Sequence, residues 1–206
     1  MDPIVKLAMA KWPNVPHCYA WLALDARGDW RMRDERAQAL NLAGEKIIHS
    51  ALLAFIARNY AVDERGCWYF QNGPQRVYVN LASTPYILHT DQNGLLFDQT
   101  GKAWQTLDTI WLASEGQCIV QSEGKVGQLD DRDLAQCLAN FQLNQQSLSD
   151  EKWQAWLAGE ALVLHFLYAG QSLPVRRLAS AAPADLAQQF GFCRVPQANA
   201  DNLLGS

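Results

Sequence analysis

The chain has 206 residues, of which 49% are apolar, and it carries a formal net charge of −4. Its 17 Lys and Arg residues are scattered among 21 Asp and Glu residues, so no clustered basic surface for a nucleic-acid backbone is indicated. No run approaches the roughly 20 apolar residues that cross a bilayer, and the start lacks the apolar core of a secretory signal. We therefore expect a cytoplasmic protein with no nucleic-acid and no membrane partner.

The first elements are a short helix and a hairpin. Residues 1–13 predict the helix, which ends before Pro13, and the loose alternation of 17–24 predicts a strand. The segment Asp25-Ala26-Arg27-Gly28 predicts a turn, because Asp at its first position caps the backbone and Gly at its fourth supplies a positive φ. A second strand follows with Trp30 and Met32 on one face.

A six-residue pattern recurs at two predicted turns. Residues 25–30 and 63–68 both have the sequence D-x-R-G-x-W. A weaker echo lies at 91–96, and a weaker one still at 121–126. The unequal spacing argues against a solenoid and favours a sheet whose hairpins reuse one turn. An internal repeat and shared turn chemistry both remain open as explanations.

Helices are predicted where apolar residues recur at three and four positions, at about 45–60, 131–141, 150–158 and 183–190. The strands come in hairpins, and helices are interposed irregularly. This pattern predicts an α+β fold with a mainly antiparallel sheet, built from D-x-x-G turns and packed against the helices. We expect one domain over 1–196, with sublobes 1–141 and 149–196 left open, and a flexible tail at 197–206.

The motifs of common enzyme classes are missing from the sequence. The five cysteines are widely spaced, without C-x-x-C, which predicts free thiols. The histidines show no metal-ligand spacing, and neither a dinucleotide fingerprint nor a phosphate-binding loop is present. We therefore expect no metal, no cofactor and no catalytic residue, which favours a non-enzymatic role.

The best candidate for a ligand site is a polar cluster around the second hairpin. Arginine offers a fixed fork for a carboxylate or phosphate, and amides fix orientation. A solvated sheet face with a turn explains the same residue types, so both interpretations stay open. The predicted ligand-binding residues are Gln71, Asn72, Gln75, Arg76, Tyr78 and Arg31, with Asn80 and Arg33 as neighbours.

Two other functions remain as alternatives to the binding of a small anionic ligand. An enzyme could use a dispersed site around His89 or His49 with an acid. An interaction scaffold for a protein partner could present exposed tryptophans such as Trp104 and Trp111.

The sequence of residues 12–90 resembles that of an uncharacterised family of proteobacterial proteins, a domain-of-unknown-function family. The stretches that carry the resemblance are 17–22 with 25–33, and 55–60 with 66–79. The resemblance implies a bacterial cytoplasmic protein and supplies no activity, cofactor or catalytic residue. The chain is also similar to another uncharacterised bacterial family, which joins sheets and helices in repeated motifs and for which a ligand-sensing role is suggested.

Overall fold

The computed structural model describes residues 1–143 and 146–198. The chain forms two compact units. The first comprises Met1–Pro85 together with the chain from Ala187 onward, and the second comprises Tyr86–Leu186. In sequence, the second unit is therefore an insertion in the first.

A six-stranded mixed sheet forms the centre of the first unit, in the spatial order β3-β2-β1-β6-β5-β4. Its strands are β1 (Cys18–Leu24), β2 (Trp30–Met32), β3 (Glu45–Lys46), β4 (Tyr60–Val62), β5 (Trp68–Asn72) and β6 (Gln75–Leu81). Strands β1 and β6 are parallel, and the other neighbours are antiparallel. Its helices are α1 (Pro3–Lys11), α2 (Glu35–Ala39) and α3 (Ser50–Arg58).

The two faces of this sheet differ in chemistry. On β5 and β6, Tyr69 lies opposite Tyr78 and Gln71 lies opposite Arg76, and opposite residues of an antiparallel pair point to the same face. The other face is apolar and packs on α3, where Phe55 meets Phe70 edge-on at 5.3 Å. The polar and aromatic face carries most of the candidate site.

The second unit contains a nine-stranded mixed sheet, in the order β13-β12-β14-β15-β9-β10-β11-β7-β8. Its strands are β7 (Tyr86–Thr90), β8 (Leu96–Asp98), β9 (Thr109–Ala113), β10 (Cys118–Ser122), β11 (Lys125–Leu129), β12 (Phe141–Leu143), β13 (Gln146–Ser147), β14 (Leu164–Tyr168) and β15 (Gln171–Leu178). The parallel neighbours are β7 with β11 and β9 with β15. The remaining helices are α4 (Asp131–Cys137), α5 (Asp150–Leu157) and α6 (Pro183–Phe190), the last of which crosses the boundary between the units.

The α+β class and the mainly antiparallel pairing are confirmed. The helix predicted from residue 45 begins only at Ser50, because His49 accepts a 3.3 Å hydrogen bond from the Leu52 amide and caps the helix there. Helix α2 was not predicted. Of the predicted tail, residues 199–206 lie outside the described part of the chain.

Within the described residues, four turns share one construction. In each, one carboxylate oxygen of an Asp accepts hydrogen bonds from the amides two and four residues later, and its carbonyl accepts from the amide of a glycine three residues later. These aspartates are Asp25, Asp63, Asp91 and Asp98. The glycines have φ between 73° and 81°, as in a hairpin with a glycine bulge.

Three of these turns were predicted, and the turn at Asp98 was missed. The prediction that residues 121–126 form the same kind of turn is wrong. There Ser122 pairs with Lys125, which leaves Glu123 and Gly124 as a two-residue loop with φ of 49° and 75°. Positive φ at both positions is typical of a type I′ hairpin.

Candidate functional site

The predicted ligand cluster is divided by the sheet. Arg76, Tyr78 and Gln71 lie on the polar face, whereas Asn72 lies on the apolar face and lines a pocket there. Gln71 is fully buried and donates to the Gly73 carbonyl at 2.9 Å. Its amide oxygen has no hydrogen-bond partner.

The other predicted members have structural roles. Gln75 donates a 3.0 Å hydrogen bond to the Pro16 carbonyl and so holds the segment before β1 against the second hairpin. Arg31 forms an ion pair with Asp25 at 2.8 Å. Arg33 is buried and donates to the Leu42 carbonyl at 3.0 Å. We therefore exclude Arg31 and Arg33 from the candidate site.

The Asp63 side chain is the most heavily hydrogen-bonded group on this face, and only 1% of it is exposed. One oxygen accepts from the Arg65 and Cys67 amides at 3.0 and 2.9 Å. The other accepts from the Tyr78 hydroxyl at 2.9 Å and from the Arg65 guanidinium at 3.0 and 3.1 Å. Burial alone would raise the pKa of Asp63, but these hydrogen bonds outweigh burial and hold that pKa below its usual value.

Three tyrosines from three strands form a packed group, which we call the tyrosine cluster (Tyr19, Tyr69 and Tyr78). Tyr19 stacks on Tyr78 with ring centroids 4.7 Å apart and planes 4° apart. Tyr69 meets Tyr78 edge-on at 5.7 Å. Tyr69 and Tyr78 are buried, so the cluster is a rigid aromatic surface against which the surrounding side chains pack.

Three basic side chains surround this cluster, and we call them the cationic rim (His17, Arg65 and Arg76). The His17 ring contacts Tyr78 edge-on at 5.7 Å. The Arg65 guanidinium lies over Tyr78 at 5.4 Å, and the Arg76 guanidinium lies over Tyr69 at 4.6 Å. His17 and Arg65 are exposed and Arg76 is half-buried, so solvent reaches the rim.

The rim has more positive than negative charge. Arg65 is paired with Asp63, whereas Arg76 forms no ion pair with any residue of 1–143 or 146–198. Burial, followed by the charges of Arg76 and Arg65, lowers the pKa of His17 below its usual value. Two guanidinium charges against one carboxylate leave one positive charge uncompensated, which suits an anion.

No local sequence pattern indicates that His17, Arg65 or Tyr19 belongs to the site. The sequence predicts that Arg65 lies in a turn, and the structure confirms that turn, but the turn pattern does not indicate a contact with the tyrosine cluster. These residues come together because β5 pairs with β6 and β1 pairs with β6. No local sequence pattern predicts these strand pairings.

A second feature of the first unit is an apolar pocket of about 260 Å³ beside α3. Asn72 is the one amide side chain among its lining residues. These are Cys18, Trp21, Leu22, Met32, Ile47, Leu52, Ile56, Phe70, Asn72 and Val77. The pocket and the cationic rim lie on opposite faces of one sheet.

In the second unit, His89 contacts a carboxylate, as the enzyme alternative requires. Its Nδ1 lies 3.0 Å from Asp133 and 3.8 Å from Asp130. Asp133 also accepts the Thr90 amide at 3.2 Å, and Asp130 is paired with Arg132. These contacts connect the end of β7 to the start of α4. The contact between His89 and Asp133 is therefore explained as a structural link between these two elements.

The other residues of the two alternatives are also placed, and among them Trp111 is half-buried and donates its indole N–H to Gln121 at 2.9 Å. His49 caps α3. Trp104 is 3% exposed and donates its indole N–H to Asp98 at 3.2 Å, so the expectation of an exposed Trp104 is wrong. In the described ranges, no three His, Cys, Asp or Glu side chains are grouped closely enough to hold a metal ion, and no helix has the length and apolar character to cross a membrane.

Comparison with known proteins gives a family and a fold. A family model described as "Protein of unknown function (DUF2946)" matches residues 1–197, which confirms the resemblance to an uncharacterised family. No curated protein matches. The crystal structure of a DUF1285 family protein from Silicibacter pomeroyi DSS-3 is similar, with 11% identity, a TM-score of 0.50 and coverage of 85% of this chain and 87% of that one.

A second solved structure, a DUF1285 family protein from Shewanella baltica OS155, has 15% identity and a TM-score of 0.37 over 54% of this chain and 85% of that one. At these identities, the first match shows a shared fold alone.

Proposed function

We propose that this chain, which belongs to that family of proteins of unknown function, binds a small anionic ligand through the cationic rim. The proposed role is non-enzymatic binding or regulation in the bacterial cytoplasm. The ligand classes that fit are phosphates and carboxylates, which a guanidinium recognises with two parallel hydrogen bonds. The observation that carries the proposal is the unpaired Arg76 guanidinium on the tyrosine cluster.

Arg76 is held in place before a ligand arrives. Its guanidinium lies over the Tyr69 ring at 4.6 Å. A guanidinium has five N–H donors, and a contact with the face of a ring leaves them available for an anion. Because the side chain is already ordered, less rotamer entropy is lost when an anion binds.

His17 supplies a second hydrogen-bond donor to the anion, and its charge depends on its protonation. Gln75 fixes the Pro16 carbonyl and so positions the residue that follows it. The lowered pKa of His17 favours the neutral ring, and a neutral imidazole donates one N–H. A bound anion would offset the neighbouring guanidinium charges and favour the protonated ring.

Binding is favoured over catalysis because the thiol nearest the rim is not activated for attack on a bound anion. Cys67 packs against Tyr69 and Tyr78. Burial, followed by the neighbouring Cys193 thiol, raises the pKa of Cys67 to about 12. A thiol at neutral pH is a poor nucleophile, so the rim offers an anion charge and donors rather than a covalent step.

The test is a thermal-shift and calorimetric titration with inorganic phosphate and with succinate, using choline chloride as the control at matched ionic strength. At a hundredfold excess over its dissociation constant, a ligand adds about 2.7 kcal/mol to the free energy of unfolding. Arg76→Ala should abolish this gain. Arg27→Ala should keep it, because Arg27 is an exposed arginine in the other D-x-R-G turn. Equal stabilisation of both variants, or none of the wild type by either anion, would overturn the proposal.

A further inference from the structure

Cys67 and Cys193 lie directly opposite one another in an isolated parallel β-bridge. The Cys193 amide donates a 2.8 Å hydrogen bond to the Gly66 carbonyl. Neighbouring strands are about 4.7–4.9 Å apart, which falls within the Cα separation of about 4.4–6.8 Å that a disulfide needs. We infer that these two cysteines are a reversible dithiol site, which a low-molecular-weight disulfide oxidises to an intramolecular disulfide.

The backbone around the pair is already held in register. Leu81 donates its amide to the Arg194 carbonyl at 2.8 Å, and the Arg194 side chain donates back to the Leu81 carbonyl at 3.4 Å. The segment that carries Cys193 is thus fixed at the neighbouring residue as well. The backbone that carries both cysteines is therefore held by hydrogen bonds at and beside the β-bridge.

Access makes Cys193 the first thiol to react, and its position opposite Cys67 selects the second. Cys193 is partly exposed, whereas Cys67, Cys118 and Cys137 are 4%, 3% and 1% exposed. Cys67 lies directly across the β-bridge from Cys193, so it reaches the mixed disulfide without access to the reagent in solution. Cys18 is partly exposed, but it lines the apolar pocket on the opposite face of the sheet, where it has no thiol among the lining residues.

The reaction is a thiol–disulfide exchange in two steps. The Cys193 thiolate attacks one sulfur of the low-molecular-weight disulfide, the S–S bond of the reagent breaks, and one small thiolate leaves. Cys67 then loses its proton and attacks the Cys193 sulfur of the mixed disulfide, which releases the second small thiolate. The two protein thiols lose two electrons in total, the reagent is reduced to two thiols, and the two protons pass to those thiolates.

The disulfide would link two segments of the first unit that are distant in sequence. Cys67 and Cys193 lie on either side of the inserted residues 86–186, so the bond would tie the returning end of the first unit to its sheet. A cross-link over so long a loop mainly restricts the unfolded chain. The inference does not depend on anion binding at the cationic rim.

The test uses the full-length reduced protein in oxidised glutathione, with free-thiol counting and peptide mapping by mass spectrometry. We expect a loss of two of the five thiols, one Cys67–Cys193 linked peptide, and a Tm rise of roughly 5–15 °C that dithiothreitol reverses. Cys193→Ser should lose this response and Cys18→Ser should keep it.

No Cys67–Cys193 peptide from the wild type, a link to another cysteine, or a disulfide that leaves Tm unchanged would overturn the inference. Peptide mapping of the wild type decides the linkage even if a serine variant fails to fold.

Discussion

The carboxylate of Asp63 accepts a 2.9 Å hydrogen bond from the hydroxyl of Tyr78, a residue 15 positions later in the chain. This bond distinguishes Asp63 from the equivalent aspartate of the first D-x-R-G turn. The second oxygen of Asp25 binds Arg31, six residues away and within its own hairpin. Asp63 therefore connects a hairpin turn to the tyrosine cluster, and its removal should disturb both.

We expect Asp63→Ala to lower the free energy of unfolding by about 2–4 kcal/mol, because the buried Tyr78 hydroxyl and the amides of the turn lose their acceptor. The matched control is Asp25→Ala in the same unit. It removes the same turn bonds and a partly exposed ion pair, and it should cost only about 1–2 kcal/mol. Urea unfolding of both variants measures the difference. Equal losses would mean that the bond to Tyr78 adds nothing.

The stabilisation from Asp63 should depend on pH in a defined direction. Its folded-state pKa lies below the usual value, so the unfolded chain binds the proton more readily. The contribution is therefore complete above the unfolded pKa of about 3.9 and is lost as pH falls through the folded pKa. The difference in unfolding free energy between the wild type and Asp63→Asn should stay constant from about pH 7 to 5 and shrink below about pH 4. A difference that grows in acid would contradict this assignment.

His17 should report on the charges of the rim. Burial and the charges of Arg76 and Arg65 lower its pKa, so Arg76→Ala should raise that pKa towards the ordinary value of about 6.5. Inorganic phosphate should raise it in the wild type, because a bound anion favours the imidazolium. NMR titration of the His17 ring protons, assigned with His17→Gln, measures both effects. Arg27→Ala should leave the pKa unchanged, and an unchanged pKa in Arg76→Ala would remove Arg76 from the surroundings of His17.

The turns could be predicted from the sequence because their chemistry is local. The backbone amides that bind Asp63 in its turn all lie within the five residues from Asp63 to Cys67. The fold class follows in the same way, since hairpin turns and helix signals are short-range. What short-range patterns cannot give is the order of strands in a sheet.

The site depended on that missing information. Tyr19 reaches Tyr78 because β1 pairs with β6 in parallel, and the register of β1 shifts at a bulge where Ala20 has a φ of 67°. Neither the pairing nor a bulge at an alanine is signalled locally. By contrast, strand alternation alone separates Gln71 from Asn72, so the division of the predicted cluster between two faces was accessible from the sequence.

Gly66 provides the last test, because it is close to the backbone that carries Cys193. Its φ is 73°, and a Cβ there would lie 2.5 Å from the Gly191 carbonyl oxygen. Gly73 in the same unit also has a positive φ, of 57°, but a Cβ there would meet nothing within 4 Å. Gly73→Ala should therefore cost only the conformational penalty of about 1–2 kcal/mol.

Gly66→Ala should cost more than Gly73→Ala in urea unfolding, because backbone atoms cannot move aside as a flexible side chain can. The displaced segment would also carry Cys193 away from Cys67, so the yield of the Cys67–Cys193 disulfide in oxidised glutathione should fall in Gly66→Ala and stay at the wild-type level in Gly73→Ala. Equal yields in the two variants would show that the thiols can meet without the close approach of Gly66 to Gly191. The register of the bridge would then not be what brings the two cysteines together.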